Sequence, residues 1–178
     1  MTTFFGMIDF SGRPLEPGSV EAMREATRAN PGDVEQVWYE NNVALGCNLR
    51  WITRESKTEV LPLVRPAPAG QRVITACARI DNRKELGDKL GISANESRDL
   101  GDSEFILRAY EKWGKNCVDH LLGDFAFAIW DQPTGKLFCA RDHMGIQPLF
   151  YRRLENQLII ANNIEPLILG CFPTPVLK

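Results

Sequence analysis

Apolar residues are grouped in short blocks that lie mainly at the two ends of the chain. Residues 4–10, 73–80 and 125–130 are almost continuously apolar, which is typical of strands covered on both faces. Shorter blocks bounded by turn residues predict further strands at 37–40, 43–52, 137–140, 149–152 and 158–161. Asn41-Asn42 and Glu155-Asn156 then predict the turns of two hairpins.

Helical spacing of apolar residues is confined to the beginning and the middle of the chain. The predicted helices lie at 19–28, 81–90, 102–113 and 117–122. Ser19 and Asp81 are the expected N-caps, and Gly91 and Gly114 are the expected terminators. Residues 65–71 are expected to form a loop, because they contain two prolines and one glycine, Pro66, Pro68 and Gly70.

This order of elements predicts an α+β fold. Strands cluster at both ends with helices between them, which favours two stacked, mainly antiparallel sheets with helices on their outer faces over a doubly wound parallel sheet. A length of 178 residues suits one domain with a substantial core. We see no domain boundary or internal repeat, so residues 1–178 are expected to form a single domain.

Composition and charge argue against several classes of function. Apolar residues make up 44% and charged residues 25%, which is a globular composition. The formal net charge of -2 argues against binding to nucleic acid or to a membrane surface. No apolar run is long enough to span a bilayer, and the N-terminus lacks the basic start of a secretory signal. We therefore expect a cytoplasmic protein.

Cysteine and histidine usage excludes several kinds of site. The five cysteines, an odd number, are widely spaced, which fits neither a disulfide framework nor a zinc site, so we expect buried thiols and no bound metal. A catalytic triad would need one of the two histidines, His120 or His143. Phosphate-binding glycine loops are also missing, so no nucleotide cofactor is expected in this chain.

The most distinctive segment is residues 139–151, which read CARDHMGIQPLFY. On residues alone this is a tight connection between strands, with Gly145 in the turn and an Arg141–Asp142 pair holding it. The segment also resembles the Arg-Asp-x-x-Gly-x-x-Pro-Leu-Tyr-Tyr motif of asparagine-synthetase-type enzymes, with Pro148 at the proline position. In that family the motif lies near the end of the N-terminal glutaminase domain, where we expect a structural or interdomain role.

Three other segments support the resemblance, so that it covers nearly the whole chain. Residues 102–107 resemble the family's Asp-Thr-Glu-x-Ile-Leu helix start, residues 123–131 its Gly-x-Phe-Ala-Phe-x-Ile-Trp-Asp strand, and residues 4–7 its opening strand. The family implies a four-layer αββα sandwich of the N-terminal-nucleophile (Ntn) hydrolase kind. It also implies glutamine hydrolysis, which supplies ammonia to a C-terminal synthetase domain that uses ATP and Mg²⁺. Residues 1–178 are then expected to be the N-terminal part of a longer protein.

The sequence departs from this family at the positions that carry the chemistry. Active members have a nucleophilic Cys after the initiator Met, and its own α-amine is the base. Thr2 stands there in this chain, and with Met1 attached its nitrogen is an amide. The family's oxyanion Asn-Gly is replaced by Cys77-Ala78, which substitutes a weak thiol donor for an amide.

Two substrate-binding positions are kept. Arg50 lies in a segment that resembles the family's strand whose Arg holds the glutamine carboxylate, and Asp102 matches the Asp that holds the glutamine ammonium. Each residue also has an ordinary interpretation, Asp102 as a helix N-cap and Arg50 as a surface strand residue.

Three functions follow. The first is an inactive glutaminase domain retained for structure and for docking to the synthetase domain, nearest in pattern to lasso-peptide cyclases and β-lactam synthetases. The second is an active glutaminase with Thr2 as nucleophile that supplies ammonia for asparagine synthesis. The third is a module that binds glutamine or another amino acid. The sequence does not fix whether the chain forms a homodimer.

Overall fold

Nine strands in the described part of the chain, residues 1–169 of this computed structural model, form two antiparallel sheets. Cys171, one of the five cysteines, and the other residues after 169 lie outside the described residues. The first sheet contains β1 (Thr3–Asp9), β2 (Val34–Glu40), β3 (Val43–Leu49), β8 (Phe150–Leu154) and β9 (Gln157–Ala161). The second sheet contains β4 (Leu63–Ala67), β5 (Gly70–Ile80), β6 (Gly123–Asp131) and β7 (Lys136–Arg141). Their spatial orders are β2-β3-β1-β9-β8 and β4-β5-β6-β7.

The helices cover the outer faces of the two sheets. They are α1 (Pro17–Thr27), α2 (Arg83–Leu90), α3 (Ala94–Ser97), α4 (Asp102–Trp113) and α5 (Glu165–Leu169). Three 3₁₀ segments lie at Glu55–Lys57, Gly114–His120 and Gln132–Thr134. Helix α1 packs on β1 and β3, α4 packs on β5, and β1 and β3 in turn contact β5. The predicted arrangement of two stacked sheets between helical layers is therefore confirmed.

Strand β1 shows why the apolar blocks are continuous. All seven of its residues are buried. Phe5 and Met7 pack with Met23 of α1, whereas Phe4 and Ile8 belong to the clusters that join the two sheets. Because successive side chains of a strand point to opposite faces, a strand covered on both sides needs apolar residues at nearly every position.

Several predicted boundaries are wrong for local reasons. Helix α1 begins at Pro17, whose fixed φ suits the first turn, and Ser19 lies inside the helix. Helix α2 begins at Arg83 with Asn82 at the cap position, while Asp81 pairs with Arg79. The helix predicted at 117–122 is instead the 3₁₀ segment Gly114–His120.

The loop predicted at 65–71 is also wrong, because this segment joins β4 to β5 as a hairpin. Strand β4 lies at the edge of its sheet, and an edge position tolerates Pro66, which has no N–H to donate. Helices α3 and α5 were not predicted; each has at most five residues, too few to show a helical period.

Other predictions are confirmed. The two predicted hairpins are formed, with Asn41 and Glu155 in the left-handed region at φ 50° and 42°. Gly91 and Gly114 end their helices at φ 74° and 59°, where a side chain would be strained. Within residues 1–169, no helix has the length and apolar character needed to cross a membrane.

Candidate active site

A cavity of about 170 Å³ lies where β1 begins, β3 ends, β5 passes and α4 begins. All of the residues predicted for nucleophile, oxyanion and substrate-binding roles line it: Thr2, Arg50, Cys77, Ala78 and Asp102. They come together because β1 pairs with β3 and both stack on β5. Neither His120 nor His143 lines this cavity.

Thr2 is held tightly by backbone groups. Thr3 pairs with Asn48, so that Thr2 lies beside the end of β3. The Arg50 N–H donates to Thr2 Oγ1 at 3.0 Å, and the same hydroxyl donates to the Arg50 carbonyl oxygen at 3.4 Å. Thr2 is only 5% exposed. Its hydroxyl is therefore engaged as both donor and acceptor.

The buried side chain of Asn162 fixes the start of β1 and was missed by the sequence analysis. Its Nδ2 donates to the Thr2 carbonyl oxygen at 2.9 Å, and the Phe4 N–H donates to its Oδ1 at 2.8 Å. Asn162 follows β9 and lies 160 positions from Thr2 in the sequence, so that no local pattern could have indicated this contact.

Cys77 occupies the predicted oxyanion position on β5. Its side chain is 6% exposed, and Sγ donates to Oε1 of Gln147 at 3.3 Å. Burial raises the pKa of the thiol to about 12, which the positive charge of the N-terminus only partly opposes. The thiol is therefore neutral at pH 7. Ala78 follows it and is partly exposed beside the cavity.

Asp102 is the first residue of α4, and Gly101 rather than Asp102 occupies the cap position. The side chain of Asp102 is 12% exposed and accepts a hydrogen bond from the Arg83 guanidinium. Arg83 also donates to the Ser97 and Leu100 carbonyl oxygens at 2.8 and 2.7 Å. Burial raises the pKa of Asp102, and the attraction of Arg83 only partly opposes that rise. Asp102 is thus part of a fixed ion pair.

Two other charged residues of the cavity have no such partner. Arg50 directly follows β3, which ends at Leu49 and not at the predicted residue 52, so Arg50 is not a strand residue. Its side chain is exposed and forms no ion pair within residues 1–169. Glu59, which the sequence analysis missed, follows the 3₁₀ segment Glu55–Lys57 and accepts the Ser103 N–H on Oε1 at 2.9 Å. Burial raises the pKa of Glu59. Its position in a short polar segment gave no signal of a role.

The loop after β7 owes its shape to Asp142, which is 5% exposed. Its carboxylate accepts the N–H groups of Ile146 and Gln147 at 2.9 Å each and of Phe125 at 3.3 Å. Burial raises the pKa of this carboxyl, but the backbone hydrogen bonds together outweigh burial and the pKa is lowered overall. Asp142 therefore positions Gln147, whose side chain lines the cavity.

Arg141, Gly145 and Pro148, the other singled-out residues of the segment 139–151, lie in or beside this loop. Gly145 adopts φ 68°, which favours glycine, and the Arg141 side chain lies beside it. Arg141 is exposed, and the predicted Arg141–Asp142 ion pair is not formed in the described structure. Pro148 lies between Gln147 and the start of β8. The backbone contacts of Asp142, not an ion pair, hold the connection together.

The cavity offers groups for binding a small polar molecule and few groups for activating a nucleophile. Its lining combines carboxylates, arginines and a side-chain amide with the hydroxyl of Thr2 and a neutral thiol. Within residues 1–169, no three His, Cys, Asp or Glu side chains are grouped so as to hold a metal ion.

Sequence comparison finds one domain family over almost the whole chain. Residues 1–175 match the family described as the glutamine amidotransferase domain. The chain is 27% identical over 164 residues to asparagine synthetase [glutamine-hydrolyzing] 3 of Bacillus subtilis, covering 92% of this chain and 26% of that protein. It is 56% identical over 90 residues to a putative asparagine synthetase of Mycobacterium tuberculosis, covering 48% of this chain and 13% of that protein. The chain thus spans about a quarter or less of these relatives.

Structural comparison supports the predicted Ntn-hydrolase-like fold. The chain resembles glutamine phosphoribosylpyrophosphate amidotransferase of Bacillus subtilis with a TM-score of 0.72 at 15% identity, covering 94% of this chain and 43% of that one. A structure of the allosteric regulatory enzyme of purine biosynthesis gives a TM-score of 0.68 at 16% identity. At these identities the comparison concerns the fold.

Proposed function

This chain belongs to the family of glutamine amidotransferase domains, and from that premise we propose that it is a glutaminase-like domain that no longer hydrolyses glutamine. It would be part of an asparagine-synthetase-related enzyme that forms amides with ATP, and would serve structure and docking. The observation that carries this proposal is the pair of side chains in the catalytic positions. Thr2 and Cys77 line one cavity, and by the resemblance to asparagine-synthetase-type enzymes they stand at the positions where active members carry the nucleophilic thiol and the oxyanion amide.

Both substitutions weaken the chemistry in physical terms. The hydroxyl of Thr2 is a weaker nucleophile than a thiolate, and it is already hydrogen-bonded to the backbone of Arg50. Replacing the oxyanion amide with the Cys77 thiol removes a donor that is typically worth a factor of about 10² to 10³ in rate. The first loss weakens the attacking group and the second weakens stabilisation of the oxyanion that the same attack forms, so that both raise the barrier to this step.

Glutamate release from L-glutamine tests the proposal. The chain is prepared with Met1 removed, so that the Thr2 amine is free to act as a base, and compared with Thr2→Ala. We expect no release above this control. A Thr2→Cys, Cys77→Asn double variant shows whether the remaining scaffold can still support hydrolysis when the thiol and the amide are restored. Release by the unsubstituted chain that disappears in Thr2→Ala would contradict the proposal.

Docking is supported by exposed apolar side chains. Leu122, Met144 and Ile146 are 64%, 85% and 59% exposed, and the last two lie in the loop that Asp142 holds. Exposed apolar groups on an ordered loop favour a protein contact. The proposed partner is a synthetase domain, which would hold the ATP and Mg²⁺. A reading frame that continues into a Ser-Gly-Gly-x-Asp-Ser nucleotide loop would support this partner, and a stop directly after residue 178 would contradict it.

The type of amide formed is a finer part of the proposal. Without ammonia from glutamine, the synthetase domain needs another amine, and an amine within the same substrate would meet that need. This logic favours the lasso-peptide-cyclase or β-lactam-synthetase type. Sequencing the proposed synthetase domain and assaying it for an intramolecular amide product would test it, and strict dependence on added ammonia would contradict it.

A second candidate, a working Thr-type glutaminase, is favoured by Gln147. Its side-chain amide lies beside the Cys77 thiol in the cavity. An amide there could take over the role of the missing oxyanion donor. In that case glutamate release would require Thr2 and would fall by about 10² to 10³ in Gln147→Leu. Release that survives Gln147→Leu would remove the support for this candidate.

A further inference from the structure

Strand β2 lies at one edge of the five-stranded sheet and pairs only with β3. The Asp9 N–H donates to the Asn42 carbonyl oxygen at 2.9 Å, so the backbone groups of Asn42 face β1 and those of the next residue, Val43, face Glu40 of β2. Because hydrogen-bonded positions alternate along an antiparallel strand, every second residue of β2 directs its N–H and C=O away from β3. Within residues 1–169 these outward backbone groups form no hydrogen bond. They belong to Glu35, Val37 and Tyr39.

The other edge strands of the two described sheets carry residues that discourage pairing with another chain. Strand β4 contains Pro66, β8 contains Arg152 and Arg153, and β7 begins with Lys136 and ends with Arg141. Strand β2 has seven residues, VEQVWYE, without Pro, Gly, Lys or Arg. A long edge strand that lacks such residues is a template for a further strand.

A groove of about 360 Å³ lies beside this edge, between β2 and α1. Val20 of α1 and Val37 and Tyr39 of β2 line it with apolar surface. No residue of β2 is fully buried, and Tyr39 is 45% exposed. A strand added to β2 would therefore gain backbone hydrogen bonds and also cover apolar surface in the groove.

The two carboxylates of β2 are already engaged within the domain. Glu35 is paired with Arg24 at 3.3 Å and with Arg28 at 2.8 Å. Glu40 accepts a hydrogen bond from the side-chain amide of Gln132 at 3.1 Å. A second strand that carries the same two carboxylates therefore meets groups whose charge is compensated or hydrogen-bonded.

We propose that a second copy of this chain covers the edge, and that the two β2 strands pair antiparallel about a two-fold axis at Val37. Val37 then faces the partner's Val37, and Glu35 faces the partner's Tyr39. Each of these pairs exchanges two backbone hydrogen bonds, so that all of the outward groups are used on both copies. Glu40 faces the partner's Val34, and no carboxylate lies opposite another carboxylate.

The spacing of the outward groups favours a second copy over an unrelated strand. Glu35 and Tyr39 lie at equal distances along the strand from Val37, so the edge is complementary to itself under a two-fold rotation. A shift of the register by two residues would leave one outward position of each strand without a partner. This inference does not depend on whether the cavity at the other residues hydrolyses glutamine.

Sedimentation velocity of the chain at increasing concentration tests for the dimer. One strand edge and one groove per copy make a small interface, so we expect a dissociation constant of about 1–100 µM. Val37→Pro removes an outward N–H and leaves the β2–β3 hydrogen bonds in place, and it should weaken the dimer at least about tenfold. Circular dichroism checks that this variant is folded.

Arg153→Pro is the matched control. The Asn162 N–H donates to the Phe4 carbonyl oxygen, so by the same alternation Arg153 directs its backbone groups outward from β8, at the opposite edge of the same sheet. This variant makes the same chemical change at an edge that the proposed interface does not use. It should leave the dissociation constant unchanged.

Cysteine substitution tests the register without relying on proline. Directly opposite residues of a hydrogen-bonded pair have Cα atoms about 5.5 Å apart, which a disulfide can span. Val37→Cys should therefore give a covalent dimer on a non-reducing gel after treatment with oxidised glutathione. In Tyr39→Cys the two introduced thiols would lie about 14 Å apart along the strands, and the yield should stay at the level of the unsubstituted chain.

Four results would overturn the inference. They are a monomer at all concentrations up to about ten times the expected dissociation constant, a dimer that Val37→Pro does not weaken, a dimer that Arg153→Pro weakens equally, and equal covalent yields from the two cysteine variants. Hydrogen exchange identifies a different occupant. Protected amides at Glu35, Val37 and Tyr39 in a monomeric chain would show that another segment covers the edge, which would also overturn the proposal.

Discussion

Asp142→Ala removes the acceptor that three backbone N–H groups share, those of Phe125, Ile146 and Gln147. The donors of Ile146 and Gln147 can be rehydrated, because these residues are not fully buried, and their loss costs about 0.5–1 kcal/mol each. Phe125 is buried, and its N–H left without this acceptor costs about 1–3 kcal/mol. We expect a total loss of about 3 kcal/mol in the free energy of unfolding, or about 6–12 °C in Tm.

Urea denaturation followed by tryptophan fluorescence measures this loss, with an unchanged m-value. Asp88→Ala is the matched control, since Asp88 is exposed and forms no ion pair in the described structure, and it should change stability by less than about 0.5 kcal/mol. Asp142→Asn keeps one carbonyl oxygen as acceptor and should fall between the two.

The loss should also depend on pH. The pKa of Asp142 is lowered in the folded state, so its stabilisation is present above the unfolded pKa of 3.8 and is lost as the pH falls through the folded pKa. The difference in unfolding free energy between the unsubstituted chain and Asp142→Ala should therefore be at its maximum at pH 7 and begin to decrease below about pH 5. A loss under about 0.5 kcal/mol at pH 7, or a difference that does not change down to pH 3, would refute the reasoning.

Three further predictions use the same structure. Gly123→Ala should prevent folding or cost more than about 3 kcal/mol, because Gly123 has φ 147° and a Cβ would lie 2.0 Å from the Arg79 carbonyl oxygen. The Cβ of Gly135→Ala meets no atom within 4 Å, so this control should cost only about 1 kcal/mol of backbone strain. Thermal denaturation compares the two variants, and equal losses of stability would contradict the steric argument. Glu59→Gln should gain stability relative to the unsubstituted chain as the pH rises from 4.5, because the pKa of Glu59 is raised by burial and its ionisation destabilises the fold. Urea denaturation of both proteins from pH 4.5 to 7.5 tests this, and a difference in unfolding free energy that does not change with pH would contradict it. Alkylation of Cys77 by iodoacetamide should be slow at pH 8 and accelerate about tenfold per pH unit, since the pKa of its thiol is raised to about 12. Peptide mass spectrometry measures the rate, and rapid modification at pH 7 would show that the cavity opens.

Much of the fold was predictable from local patterns. The continuous apolar blocks became β1, β5 and β6, because strands covered on both faces leave few places for polar residues. Gly91 and Gly114 marked helix ends correctly, since their backbone conformation disfavours other residues. The N-terminal ends of helices α1 and α2 were less predictable, because residues next to Ser19 and Asp81 also suit the start of a helix.

The order and periodicity of the apolar blocks predicted the two-sheet architecture. The resemblance of short motifs to asparagine-synthetase-type enzymes indicated the family and the candidate positions Thr2, Arg50, Cys77 and Asp102, which line one cavity. Only the tertiary structure decided which charges are free. The pairing of Asp102 with Arg83 joins two helices, and it left Glu59 as an unpaired carboxylate in the cavity. Ion pairs and shared cavities depend on distances between residues far apart in the chain, and no local pattern records those distances.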